Sequence, residues 1–282
     1  MHRFAACRFQ SLADDPVDQL ALLLMGGQFV RPGAPCSIWD SRACPCQVPA
    51  HLVGNGSTVV ELGANDGLHM SNGYFFERQL EWRSVCIEAN PDIYADLVAN
   101  RPGCINVNAL VGRTEDFNGS HTARFISFRG GNDASRGRSK AGLSWETGMS
   151  AVEGLSVHRH ASSLAAAQTW ARHISRFRAP LEARTHTLEV QPLSHILDAH
   201  GIREVDFLSL DVEGAEASVL RSIDFGRTKI RLMAIETVDA KAKRMLRQNG
   251  FRDVGMRAAL GDQFWVHDRH FREKFAYSRL GG

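Results

Sequence analysis

Residues 57–90 read STVVELGANDGLHMSNGYFFERQLEWRSVCIEAN, and this stretch decides the fold. Thr58 to Leu62 is a short β-branched apolar run that passes at once into Gly63-Ala64-Asn65-Asp66-Gly67, residues suited to a sharp turn. The pattern predicts a strand followed by a tight glycine loop. Met70, Tyr74, Phe75 and Leu80 then recur at helical spacing, with Ser71 or Asn72 able to cap the start of that helix. A second strand, Ser84 to Glu88, ends on an acid. Glu88 lies 21 positions after Gly67, and in a βαβ unit a carboxylate about 20 residues beyond a glycine loop stands where an adenosine ribose offers its hydroxyls.

The loop chemistry separates two adenosine ligands. A dinucleotide site wants G-x-G-x-x-G, so that bare backbone and a helix N-terminus approach a pyrophosphate. Here Asn65 stands in place of the middle glycine, and Asp66 adds negative charge where phosphates would sit. That charge repels a pyrophosphate and suits S-adenosylmethionine, which carries an ammonium and a sulfonium. Glu61, Asp66 and Asp211 are placed in the sequence to surround such a cation. A nicotinamide oxidoreductase on the same fold is the disfavoured alternative, and a non-catalytic binding module is another.

The chain has 282 residues, 44% of them hydrophobic, with a net charge of +2. That describes one large globular domain with no global pull toward nucleic acid or an anionic membrane. The run Leu20 to Met25 is too short to span a bilayer, and Asp14, Asp15 and Asp18 precede it where a secretory signal would be positive. It predicts one buried helix stopped by Gly26-Gly27, and residues 31–56 read as a loop-rich lead-in. Six cysteines are present: Cys7, Cys36, Cys44, Cys46, Cys86 and Cys104. Their spacing fits no zinc or CxxC motif, so they are expected to be thiols in a reducing, cytoplasmic compartment.

Beyond Glu88, Asn90-Pro91-Asp92 predicts a helix start with Asn90 as its cap. A third strand follows over Cys104–Val111, with Asn108 and Ala109 near its end, where ligands gather in open α/β sheets. The segment 113–186 breaks the rhythm. It holds eleven Lys and Arg against six Asp and Glu, looks flexible over 129–140, and allows a helix within Leu155–Phe177 that turns Leu164, Ala167, Trp170 and Ile174 to one side. A lid attracting an anionic substrate and a solvated insertion are both open, and the insertion is preferred. His158 and His160 lack a third ligand at a telling spacing.

Order returns at Leu188. Phe207 to Leu210 is a buried strand with Asp211 at its carboxyl end, and Glu213 to Ile223 continues as a helix. Asp211 then lies across the crevice from the glycine loop, at the switch point of the sheet.

Three blocks now stand together: Glu61-Leu62-Gly63-Ala64-Asn65-Asp66-Gly67 with Ser71-Asn72, then Cys86-Ile87-Glu88-Ala89-Asn90-Pro91, and Leu210-Asp211-Val212-Glu213-Gly214-Ala215-Glu216. Together they resemble the signature of the FkbM family of S-adenosylmethionine-dependent methyltransferases, the last block being the most specific. The ribose block departs from the pattern, reading I-E-A-N-P where I-E-P-N-P is expected. The resemblance implies a Rossmann-like, mostly parallel seven-stranded α/β sheet with helices on both faces and an antiparallel last strand. It also implies O-methylation of a hydroxyl on a sugar or small natural product.

On this basis Glu61, Gly63, Ala64, Asn65, Asp66, Gly67 and Ser71 or Asn72 hold the methionine part, Glu88 with Ala89 and Asn90 the ribose, and Asn108-Ala109 the adenine. Asp211 orients the acceptor or takes its proton, with Glu213 and Glu236 as secondary candidates and a histidine as possible assistant. A Mg²⁺ shared by Asp211 and Glu236 is a weak case, and no metal is assigned. Residues 1–56 form an N-terminal extension, 57–112 and 187–268 the methyltransferase domain, 113–186 an insertion between the third and fourth strands, and 269–282 a solvated amphipathic tail. Residues 231–236 supply a fifth strand, 241–248 a basic exposed helix, and 251–256 with 263–267 a final antiparallel pair. The partner is a small-molecule or glycan acceptor, without nucleic acid or membrane insertion.

Overall fold

The computed structural model describes residues 4–9, 17–29, 44–54, 56–130, 149–153, 155, 162–176, 180–258 and 261–275. Cys36, His158, His160, most of 129–140 and the end of the tail lie outside them. Its main sheet has seven strands: β4 (Thr58–Leu62), β5 (Arg83–Glu88), β6 (Ile105–Asn108), β11 (Glu204–Leu210), β12 (Lys229–Ile235), β13 (Phe251–Arg257) and β14 (Gln263–His267), in the order β13-β14-β12-β11-β4-β5-β6. The pairs from β6 across to β12 are parallel, and β14 runs antiparallel to both β12 and β13. This is the mostly parallel seven-stranded sheet with an antiparallel last strand that the resemblance implies.

Alternation along the strands divides the core into two layers. Val60, Leu62, Leu208, Leu210, Met233 and Ile235 pack with Leu197 of α5 (Leu193–Ala199), Leu220 of α6 (Glu216–Arg221) and Leu246 of α7 (Ala240–Gln248). Their neighbours Val59, Phe207, Leu232 and Ala234 pack on the opposite face. There they meet Leu22 of α1 (Val17–Leu24), Phe75 and Phe76 of α2 (Tyr74–Leu80) and Phe271 of α8 (Asp268–Lys274). The tail is therefore docked rather than solvated as far as Phe275, because Phe271 and Phe275 are both 1% exposed and Lys274 Nζ stands 2.8 Å from buried Asp206. Among the described residues no helix is long and apolar enough to cross a membrane.

Three other expectations change. The lead-in is not only loop: β3 (Cys44–Pro49) lies between β1 (Phe4–Phe9) and β2 (Gln28–Phe29) in an antiparallel sheet. The third strand breaks after Asn108, and β7 (Leu110–Val111) joins a second sheet of order β7-β10-β8-β9, with β8 (Thr122–Gly130), β9 (Ala151–Val152) and β10 (Leu181–Gln191). Much of the insertion is thus ordered. Phe125, Val152 and Val190 of this sheet pack on Ala215 and Ala89, while Ile126, Phe128 and Leu181 on its other face pack on Ala167 and Ala171 of α4 (Leu164–Ile174).

The cysteines are the third correction. Cys86 and Cys104 form a disulfide, Cys46 is also disulfide-bonded, and no described cysteine is free. Cys86 faces α3 (Pro91–Asn100), opposite to Val85 and Ile87, and the turn before β6 brings the Cα of Cys104 to 6.2 Å from its own. That is within bonding reach.

Candidate active site

The carboxyl ends of β4, β5, β6 and β11 open on one cavity of about 370 Å³. Its floor is set by the loop after β4. Gly63 has φ +79°, and its N–H and that of Ala64 donate to Ile87 O at 3.0 and 3.1 Å. Asn65, at φ +50°, donates its N–H to Glu88 Oε2 at 2.8 Å, while Asn90 N–H donates to Glu88 Oε1 at 2.6 Å. Glu88 is thereby held at the mouth of β5 with both oxygens engaged. Burial pushes its carboxyl up to about 7, against the lowering effect of these N–H donors.

Glu61 organises the next segment. Its carboxylate accepts from Ser71 Oγ (2.9 Å), Asn72 N–H (2.6 Å) and Gly73 N–H (3.1 Å), and Asn72 Nδ2 donates to Ser209 Oγ at 3.0 Å. That is why α2 starts at Tyr74, two residues later than a Ser71 cap would place it, with Gly73 at its N-cap and no side-chain cap. Asp66 turns back into the loop, where Oδ1 accepts from Leu68 N–H and His69 N–H at 3.0 and 2.7 Å.

The far end of the cavity is acidic. Asp211 and Glu236 share a side-chain hydrogen bond, and Glu213, Glu216 and Asp262 stand close enough to repel them. Glu213 is at φ +57°, in the turn Val212-Glu213-Gly214 that ends β11, and Glu216 Oε1 fixes that turn by accepting from Val212 N–H and Gly214 N–H, each at 3.1 Å. The expected helix from Glu213 accordingly begins only at Glu216. Burial first and neighbouring negative charge second hold Asp211 well above the usual carboxylate range. The same causes push Glu213 to about 8 and Glu236 to about 7.

Of the residues singled out in the sequence, Glu61, Gly63, Asn65, Asn72, Glu88, Ala89, Ala109, Asp211, Glu213 and Glu236 line this cavity. Ala64, Asp66, Gly67, Ser71, Asn90 and Asn108 do not. Asn108 is exposed and donates Nδ2 to Glu88 O and Ala89 O, and Asn90 caps α3 by accepting from Asp92 N–H at 3.0 Å. Walls that sequence reasoning missed are Ile93, Leu110, Phe125, Met149, Val152 and Asp262. The aromatic and β-branched run Phe125-Ile126-Ser127-Phe128 is the available signal for the insertion's part, and the acid beside Gly261 for the last.

No lysine or arginine lines the cavity among the described residues, whereas six carboxylates do. Asn65 is 7% exposed with Oδ1 unpartnered, and Glu236 Oε2 is buried without a partner. For a metal the arrangement is poor. Among the described residues the grouping with ligand spacing is Glu77 with Cys86 and Cys104, whose sulfurs are already joined.

With this geometry in place, comparison with known families is informative: the methyltransferase FkbM domain matches residues 61–253. The chain belongs to the FkbM methyltransferase family. No curated protein matches it. The matched span of this FkbM domain starts at Glu61, at the end of β4, and covers Glu88, Asp211, Glu213 and Glu236 together with the second sheet. Asp262 lies beyond it, as do α1 and the N-terminal sheet.

Proposed function

We propose that this methyltransferase uses S-adenosylmethionine to methylate a hydroxyl on a sugar or small natural product. The observation that carries this is a cavity with six carboxylates, no lysine or arginine in its walls among the described residues, and an apolar part built from Ile87, Ile93, Leu110, Phe125 and Val152. An adenine fits the apolar part, and a ligand with two positive centres fits the carboxylates. A nicotinamide dinucleotide would bring a pyrophosphate into the same negative field, which argues against that alternative. The unpartnered Asn65 Oδ1, on a residue that lines the cavity, leaves the loop able to receive the methionine part.

When bound, S-adenosylmethionine supplies a methyl group already activated on sulfur. Glu88 holds the ribose, and Ala89 and Ala109 flank the adenine. The residues Glu61, Gly63, Asn65 and Asn72 shape the methionine end. Asp66, Gly67, Ser71, Asn90, Asn108 and Ala64 keep these groups in place from behind the wall. What remains for the chain is to position the acceptor oxygen and take its proton. Asp211 and Glu236, hydrogen-bonded to one another with raised affinities for a proton, are matched to that task better than an ordinary carboxylate, because general bases work best with a pKa near the working pH. Glu213 is the reserve acceptor. His69, which lines the same cavity with Nε2 unpartnered, is the histidine available to assist. The acidic end rejects anionic acceptors and favours neutral polyols or cationic ones.

The boundaries 57–112 plus 187–268 for the catalytic body, with 113–186 as an insertion, are part of this proposal. So is the absence of nucleic acid from the reaction. The Cys86–Cys104 bond leaves a cytoplasmic location without the support of free thiols and favours an oxidising compartment.

Calorimetry with S-adenosylmethionine and with nicotinamide dinucleotide tests the cofactor. Binding of the first alone is expected, and binding of the second alone would refute the proposal. Incubation with labelled methyl donor and fractionated lysate, followed by mass spectrometry, then identifies the acceptor.

A further inference from the structure

We propose that Arg101 is the positioning residue of the loop at the methionine end of the cofactor, acting through α3 as a strut. This rests on the S-adenosylmethionine reading above. Arg101 is the C-cap of α3, is 1% exposed and does not line the cavity. Its Nη1 donates to Gly67 O at 3.0 Å, Ser71 Oγ at 3.0 Å and Glu61 Oε2 at 3.4 Å, while its Nε donates to Glu77 Oε2 on α2 at 2.7 Å. One guanidinium therefore joins the last acid of β4, two points of the segment that follows, and the first helix of the domain. The Tyr74 ring lies under it at 5.6 Å.

The neighbouring residue tightens the same grip, since Asn100 Nδ2 donates to Asp66 O at 2.9 Å. Gly67 fits because a Cβ there would stand 2.5 Å from Arg101 Cγ and 2.7 Å from Leu97 Cδ1. At the other end of α3, Asn90 N–H holds Glu88, so a helix of ten residues, about 15 Å long, runs from the ribose acid to the methionine loop. Burying a guanidinium costs several kcal/mol unless its donors are met. Glu77 alone would balance the charge. The further donation to Gly67, Ser71 and Glu61 is what fixes the loop, and it needs Arg's planar fork, which a lysine ammonium lacks.

The test compares wild type, Arg101→Lys and Arg101→Met by calorimetry with two probes, S-adenosylmethionine and adenosine. Adenosine meets the ribose and adenine walls but not the loop. Arg101→Lys is expected to bind S-adenosylmethionine roughly ten- to a hundredfold more weakly, the loss of hydrogen bonds to a charged group, with adenosine affinity within about twofold of wild type. Equal losses for both probes, or none for either, would overturn the role. Hydrogen exchange of amides 68–73 in the same proteins decides independently of any ligand. Faster exchange there in Arg101→Lys, with β4, β5 and β11 unchanged, is expected, and unchanged exchange at 68–73 would overturn the proposal. If wild type binds neither probe, the cofactor reading fails while the exchange result still judges Arg101. Should Arg101→Met not fold, Arg101→Lys, which keeps the charge, carries the comparison.

Discussion

The backbone of Gly63 lies so close to the carbonyl oxygen of Asp211 that any side chain at residue 63 would overlap it. Leu62 O accepts from Asp211 N–H at 3.2 Å just beside this point, so β4 and β11 meet where their loops diverge. Gly63 and Asp211 both line the crevice.

Gly63→Ala therefore meets two penalties, a Cβ inside a backbone atom and a left-handed φ of +79°. We expect it to cost about 3 kcal/mol of stability and to abolish S-adenosylmethionine binding. Denaturant unfolding and calorimetry on the same sample check both.

Glu88 and Asp211 should fail differently. Glu88→Ala removes the acceptor that holds Asn65 and Asn90 N–H groups, and should weaken cofactor binding at least tenfold. Asp211→Asn should keep binding and lower turnover by about 10² to 10⁴ once the acceptor is in hand. Equal losses of binding in both would contradict the division of labour.

The acidic end makes stability depend on pH in a definite direction. Glu88, Glu213 and Glu236 have ordinary values near 4.5 and are raised to about 7, 8 and 7 in the fold. The folded protein thus holds protons that the unfolded chain releases between pH 4.5 and 8. Their contribution is complete below 4.5 and is lost as pH rises through 7 to 8. Tm should fall from pH 5.5 to 8.5, and Glu213→Gln with Glu236→Gln should flatten the slope.

Cofactor affinity should move the opposite way. A cationic ligand favours the ionised carboxylates, so calorimetry should find tighter S-adenosylmethionine binding at pH 8 than at pH 6, with protons released on binding at the lower pH.

The Cys86–Cys104 bond closes a separation of 18 residues, for which loop closure gives about 3 kcal/mol. Cys86→Ser with Cys104→Ser should lower stability by that order, and added reductant should lower the Tm of wild type by more than that of the double variant, in which the bond at Cys46 remains to be reduced.

Much of this protein is written locally. The β-branched run at 58–62, the apolar strand at 207–210, the cap Asn90-Pro91 and the buried helix before Gly26 follow from side-chain shape, period and capping within a few residues, and the structure places them where that chemistry predicts. Glu88 and Asp211 could be put on one crevice because strand ends in a parallel sheet share an edge. What the sequence could not settle depended on partners distant in the chain. Position in the sequence points Asp66 and Ser71 at the ligand, yet Leu68, His69 and Glu61 take their hydrogen bonds. Whether Cys86 reaches Cys104, whether Arg101 is buried, and whether Phe125 and Val152 cover the cavity are decided by packing across the fold. These outcomes turn on which groups desolvate one another in three dimensions, and the sequence does not record those distances.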